Sequence, residues 1–277
     1  KPLQRQRNCS RTTAEVRQNM MKRQPLEEFA KFLSPIRLPK TLWVYAKECG
    51  GGPGSSPHYS SSERALVICY EFMKLTEDVA DLIVKSEARK SGSFPFFVSR
   101  DSFVSGLFAG VILHEAGHAM FDILDVPIFG RQEDAADEIS TFVALQFRRP
   151  LAELVVSSYA DAWLAFGQSP SQAPDPDDPN YPQDKAAQCS LDPFCHFSDV
   201  HGSNEQRFFN TICLTYGSDP ARYSNFVTRG WLPPNRNCVA DYEMVKRAFA
   251  ITIHPIIDRD AMQKVMARAW FNPNEMK

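Results

Sequence analysis

Apolar positions recur at three- and four-residue spacing through most of the chain. That period predicts helices over 71–89, 103–124, 134–148, 151–166, 205–216 and 240–249, with a shorter one over 25–33. Two segments break the rhythm: 41–46 and 65–70 are rich in aromatic and β-branched residues and read as strands. A Gly-, Pro- and Ser-rich loop over 50–57 and a Ser-rich turn lie between them, so the two strands are expected to form a small antiparallel sheet near the N-terminus. The fold class expected is α+β, mostly helical, as a single domain over 25–277. Between 168 and 200 the chain is dominated by Pro, Asp, Ser and Gln, which predicts a long surface loop, either a flap over a cleft or a disordered insertion.

The chain has 277 residues, 43% of them hydrophobic and 12% aromatic, ample for a buried core. A net charge of −2 gives no reason to expect nucleic acid as a partner. The stretch 1–24 is locally basic, with Lys1, Arg5, Arg7, Arg11, Arg17, Lys22 and Arg23 against Glu15, and reads as a solvated arm. The longest apolar run, 103–113, is about a dozen residues and falls short of the roughly twenty that cross a bilayer. This disfavours an intramembrane enzyme. The first residue is lysine and no signal peptide is visible, so a mature or trimmed form is expected.

The seven cysteines include no CxxC pair, and disulfides are the better reading. Proximity in sequence suggests Cys49–Cys69, Cys189–Cys195 and Cys213–Cys238, although six cysteines allow fifteen pairings. Bridges imply the periplasm or the exterior, whereas reduced thiols in a cytosolic core are the alternative.

Within the helix predicted over 103–124 stands His114-Glu115-Ala116-Gly117-His118. At 3.6 residues per turn, His114 and His118 share one face and can share one ion, with Glu115 beside them. HExxH on a helix has the residue types of a zinc peptidase: two imidazole ligands and a carboxylate to accept a proton from water. A catalytic zinc needs a third protein ligand. Past Pro127 and Gly130, the next helical pattern opens with Glu133 and Asp137, again four residues apart. Glu133 is assigned to the metal. Asp137 is assigned to the distal nitrogen of a ligand histidine, fixing its tautomer. Acidic residues complementing a helix dipole are the plainer reading, and it accounts less well for Asp137.

HExGHA followed by G-R-x-E-D-A-A-D resembles the DUF4344 family of metallopeptidases, and more broadly the HExxH…ExxxD gluzincin arrangement. The resemblance runs from about Leu42 to the C-terminus, through 205–210, Cys213 and 216–220. It implies a zincin-like fold, with the sheet beside the HExxH helix and its edge free to hold an extended peptide by β-augmentation. The family often carries a glutamate where this chain has Gln132, which favours Glu133 as the ligand. Asn204 and Phe209 stand where an aspartate and a tyrosine would be expected.

Hydrolysis also needs a donor for the oxyanion. His201, preceded by Asp199, is one candidate; Arg207, with its planar fork, is the other. His58, His196 and His254 have no motif around them and read as ordinary. The expectation is thus a zinc-dependent peptidase acting on a peptide or protein, with Zn2+ on His114, His118 and Glu133 and Glu115 as general base. The competing reading is a zinc-stabilised, non-catalytic binding factor of the cell envelope, against which an intact Glu115 argues.

Overall fold

The computed structural model describes residues 13–50, 56–85, 99–168 and 201–267. Helices α1 (Thr13–Arg23) and α2 (Pro25–Leu33) precede a three-stranded sheet of β1 (Trp43–Lys47), β2 (His58–Ser60) and β3 (Ala65–Cys69). Helix α3 (Tyr70–Lys85) follows β3 directly, and the long α4 (Arg100–Ile123) carries the HExxH segment. Then come α5 (Gln132–Leu145), α6 (Arg149–Gln168), α7 (Asn204–Ser218), the short α8 (Asn225–Thr228), α9 (Cys238–Thr252) and α10 (Arg259–Ala267). The architecture is α+β and mostly helical, and every helix expected from the apolar period is present. Its weaker companions, α1, β2 and α10, have too few buried positions to print a period: α1 buries only Val16, and α10 buries none. Residues 13–23 of the basic arm are therefore helical, and α1 packs on α3. The surface loop expected over 168–200 lies outside the described residues from 169 onward.

The sheet departs from expectation in direction. It is mixed, with strand order β1-β3-β2. β1 and β3 pair in parallel, Trp43 opposite Ala65 and Lys47 opposite Cys69. The antiparallel partner of β3 is β2, with His58 opposite Val67 and Ser60 opposite Ala65. The correction has a simple cause: a third strand, β2, intervenes in sequence between the two that composition reveals, so the chain reverses twice and β1 and β3 run the same way. Lying between its neighbours, β3 is buried at all five positions, and β2 becomes an edge strand of the described sheet.

Helix α4 is the centre of the packing, with α3, α5, α6 and the sheet around it. Its start is fixed by Ser99, whose side chain accepts from the Ser102 backbone N–H, a cap that satisfies one of the donors a helix leaves open. The apolar run 103–113 goes into the core, with Phe103, Leu107, Phe108, Ile112 and Leu113 buried. Two glycines set how closely α6 can approach. A Cβ on Gly106 would stand 2.4 Å from the Leu154 carbonyl oxygen, and one on Gly110 would stand 2.8 Å from the Tyr159 ring. At both positions the missing side chain is what admits the neighbouring helix.

Disulfides join Cys49 to Cys69 and Cys213 to Cys238, two of the three pairs that sequence proximity suggests. Cys189 and Cys195 lie outside the described residues, as does Cys9. The first bridge ties the loop after β1 to the end of β3, and the second ties α7 to the start of α9. Among the described residues no helix is long and apolar enough to cross a membrane.

The α4–α6 contact makes a testable demand. Gly106→Ala gains helix propensity of up to about 1 kcal/mol, but it must push against backbone and should cost more than it gains. A net loss of about 1–2 kcal/mol is expected from overpacking, read as a lower urea midpoint at unchanged m-value; an unchanged or raised midpoint would refute the close approach.

Candidate metal centre

One face of α4 presents Val111, His114, Glu115, His118 and Asp122 to a cleft of about 620 Å³. The edge strand β2 forms one wall, and the start of α5 brings Glu133 and Gln132 to the opposite side. Residues from α6 and α7 close the back through Tyr159, Trp163 and Arg207.

Three side chains converge in this cleft. The Nε2 atoms of His114 and His118 are 3.2 Å apart, and Glu133 Oε2 lies 3.1 Å from the first and 3.3 Å from the second. His114 and Glu115 are buried, while Glu133 keeps some access to solvent. His114, His118 and Glu133 thus form a donor group able to hold a metal ion. The spacing fits zinc: bonds of about 2.0–2.1 Å in tetrahedral geometry separate neighbouring ligand atoms by about 3.3–3.4 Å. Cys49–Cys69–Glu71 and Cys213–Cys238–Asp241 also bring potential ligands together, but in both the sulfurs are already spent in a disulfide.

Asp137 stands behind His114. Its Oδ1 lies 2.8 Å from His114 Nδ1 and accepts the Tyr159 hydroxyl at 2.5 Å. Arg207 donates to the same carboxylate through Nε at 2.6 Å and a terminal nitrogen at 2.7 Å. Burial would push the Asp137 carboxyl up, but the hydrogen bonds from His114 and Arg207 hold it down at about 2. The Cζ of the arginine lies over the Trp163 ring, 3.5 Å from its centroid.

Electrostatically the cleft favours a cation. Burial acts to lower the His114 pKa, yet acceptance by Asp137 and Glu133 raises it to about 9. Burial acts to raise Glu133, and contacts with His114, His118 and His201 outweigh it, keeping the carboxyl well below the usual range. Glu115 behaves in the opposite way. Burial, aided by the Glu133 charge, lifts its carboxyl above the ordinary value against the pull of the two histidines. The Tyr59 backbone N–H, from β2, donates to it.

Of the two oxyanion candidates, His201 lies at the cleft rim, 41% exposed at the side chain, with Nε2 3.0 Å from Glu133 Oε2. Arg131 donates to its carbonyl at 3.2 Å and pairs with Asp134, so the first turn of α5 holds the loop before α7. Its expected neighbour Asp199 lies outside the described residues. Arg207 lines the cleft but is engaged with Asp137. His58 is in the cleft wall, although nothing around it in sequence marked it. Tyr59, Tyr159 and Trp163 were equally invisible: Tyr59 sits in a Ser-rich segment that reads as a turn, and the other two in an apolar helical pattern where an aromatic residue reads as core.

Two histidines one turn apart thus face a carboxylate from a second helix, an arrangement able to hold a metal ion. The chain belongs to the DUF4344 family, described as "Putative metallopeptidase", whose model matches residues 6–252. No curated protein and no solved structure matches it.

Beside Asp137, Glu138 carries a separate consequence. Burial, reinforced by Asp134, Asp241 and Asp137, pushes its carboxyl up to about 7. The folded chain then keeps a proton that an unfolded glutamate releases near 4.5. Stability contributed by that proton is present at low pH and is lost as pH rises through this window. Glu138→Gln should flatten the fall in urea midpoint between pH 5 and 7; an identical pH slope in parent and variant would count against it.

Proposed function

We propose that the protein is a zinc-dependent peptidase whose metal is held by His114, His118 and Glu133. The observation carrying this reading is the convergence of the three ligand atoms beside a buried, unspent carboxylate. When bound, zinc supplies Lewis-acid polarisation of the scissile carbonyl and of the attacking water.

The remaining work falls to the chain itself. Glu115 takes the proton from the attacking water and passes it to the leaving nitrogen, a role suited to a carboxyl whose pKa is raised by burial. Asp137 holds the Nδ1 side of His114, leaving Nε2 to face the metal position. Arg207 and Tyr159 act through Asp137 as positioning residues: with two of its guanidinium nitrogens on that carboxylate, Arg207 is better placed to neutralise it than to meet substrate. His201 is the donor proposed for the oxyanion. It stands at the rim on the Glu133 side and can swing toward a bound carbonyl. The outer edge of β2 offers backbone hydrogen bonding to an extended peptide, beside the Tyr59 N–H that reaches Glu115.

The single-domain organisation over 25–277 is part of this proposal, and so is an extracytoplasmic setting, which the Cys49–Cys69 and Cys213–Cys238 bridges support. A non-catalytic envelope factor would need the ligands but not a buried general base. The position of Glu115 therefore favours hydrolysis.

Elemental analysis should find about one zinc per chain, largely lost in Glu133→Ala. Glu115→Gln should retain zinc yet lose on the order of a hundredfold or more in peptide hydrolysis; full activity in that variant would overturn the mechanism. Asp137→Asn should weaken zinc binding roughly 10- to 100-fold in a chelator competition, and parent-like affinity would remove Asp137 from the scheme.

A further inference from the structure

Strand β2 is three residues long and lies at the edge of the described sheet, packed on α4. So short a ladder gives little hold by itself, since even a full two-stranded hairpin is marginal in water. Its middle residue, Tyr59, meets α4 at two points. The backbone N–H donates to Glu115, and the hydroxyl donates to Asp122 Oδ2 at 2.6 Å. Glu115 and Asp122 are seven residues apart, two turns along one face of the helix and about 10 Å in rise. A single residue thus spans from the proposed general base to the last turn of α4, and all three side chains line the cleft.

Pairing with β3 sets the place of β2 within the sheet, but so short a ladder leaves the strand free to tilt over the helix beneath it. The hydroxyl contact removes that freedom. Its acceptor is a carboxylate, and hydrogen bonds of this kind are shorter and stronger than neutral ones. Burial and the Asp122 carboxylate push the Tyr59 hydroxyl well above its ordinary pKa, so the phenol keeps its proton and remains the donor. Asp122 is exposed, so water screens the contact and its effect on global stability is small. What it fixes is placement. Glu115 is buried, and an N–H that moves off line weakens steeply as its partner. A carboxylate whose donor drifts is free to turn away from the water it must deprotonate.

We infer that Tyr59 and Asp122 are a positioning pair for Glu115: Asp122 anchors the far end of the Tyr59 side chain, and the strand held in this way keeps its N–H on the general base. The inference rests on the hydrolytic reading of the site. Asp122 is outside the donor group of His114, His118 and Glu133, so its loss should leave the metal in place. The pair acts through Glu115 on the proton-transfer step, and its removal should therefore appear in kcat and not in KM.

The test is steady-state kinetics of the full zinc-loaded chain on a quenched fluorogenic peptide, chosen from a random library as one the parent cuts, with zinc content measured for every variant. Tyr59→Phe removes the hydroxyl and keeps the ring; Asp122→Ala removes its acceptor. Each should lose roughly ten- to a hundredfold in kcat, with KM within about twofold of the parent and about one zinc per chain. The double variant should lose no more than either single one, as expected of two groups in one contact. Asp122→Asn should recover most of the loss, because its amide oxygen still accepts from the hydroxyl. Should Asp122→Ala fail to fold or lose zinc, Tyr59→Phe carries the comparison. Parent-like kcat in a zinc-retaining Tyr59→Phe, or a raised KM at unchanged kcat, overturns the positioning role alone. Zinc-loaded parent that cuts no peptide in the library overturns the hydrolytic reading, and the positioning role with it.

Discussion

The buried carboxylate of Asp137 is the interaction on which the rest of the molecule depends. It is 2% exposed and receives His114, Tyr159 and Arg207, which come from α4, α6 and α7, while it sits on α5 itself. Four helices are thus tied to one charge. Burying an unpaired carboxylate is costly, and a pair deprived of one partner leaves the other exposed to the same cost. The geometry at His114 is therefore secured by the need to neutralise Asp137, and not only by apolar packing. Tyr159 can reach this carboxylate because Gly110 leaves room for its ring.

This dependence explains why so much of the centre could be read from the chain and why some could not. HExxH and the Glu133–Asp137 spacing obey helical geometry, which a sequence displays directly. The helices that position them are long and periodic for the same reason. Arg207 was visible as a residue with a suitable fork, but the partner that occupies the fork lies seventy positions earlier. Tyr159 carries no mark at all, since a tyrosine in an apolar helix gives no sign of where its hydroxyl goes. The direction of β1 relative to β3 was hidden by β2, three residues with no strong strand composition.

The cleft joins elements of different legibility. Its floor is a motif, its back is a charge network, and its remaining wall is a short edge strand held by pairing with β3 and by the Tyr59–Asp122 contact. The floor and back are fixed by internal electrostatics, whereas the wall is fixed by backbone pairing. The metal-ligand group thus stands beside an edge strand of the described sheet.

The direct passage from β3 into α3, with Cys69 the last strand residue and Tyr70 the first helical one, leaves no slack between them. Each residue of a helix turns the next by about 100°. One residue inserted or deleted at this junction would rotate Phe72, together with the buried Thr76, Val79, Ala80 and Ile83, away from the side on which α3 packs. The length of this joint is thus under as strict a constraint as the spacing within HExxH, although no motif records it.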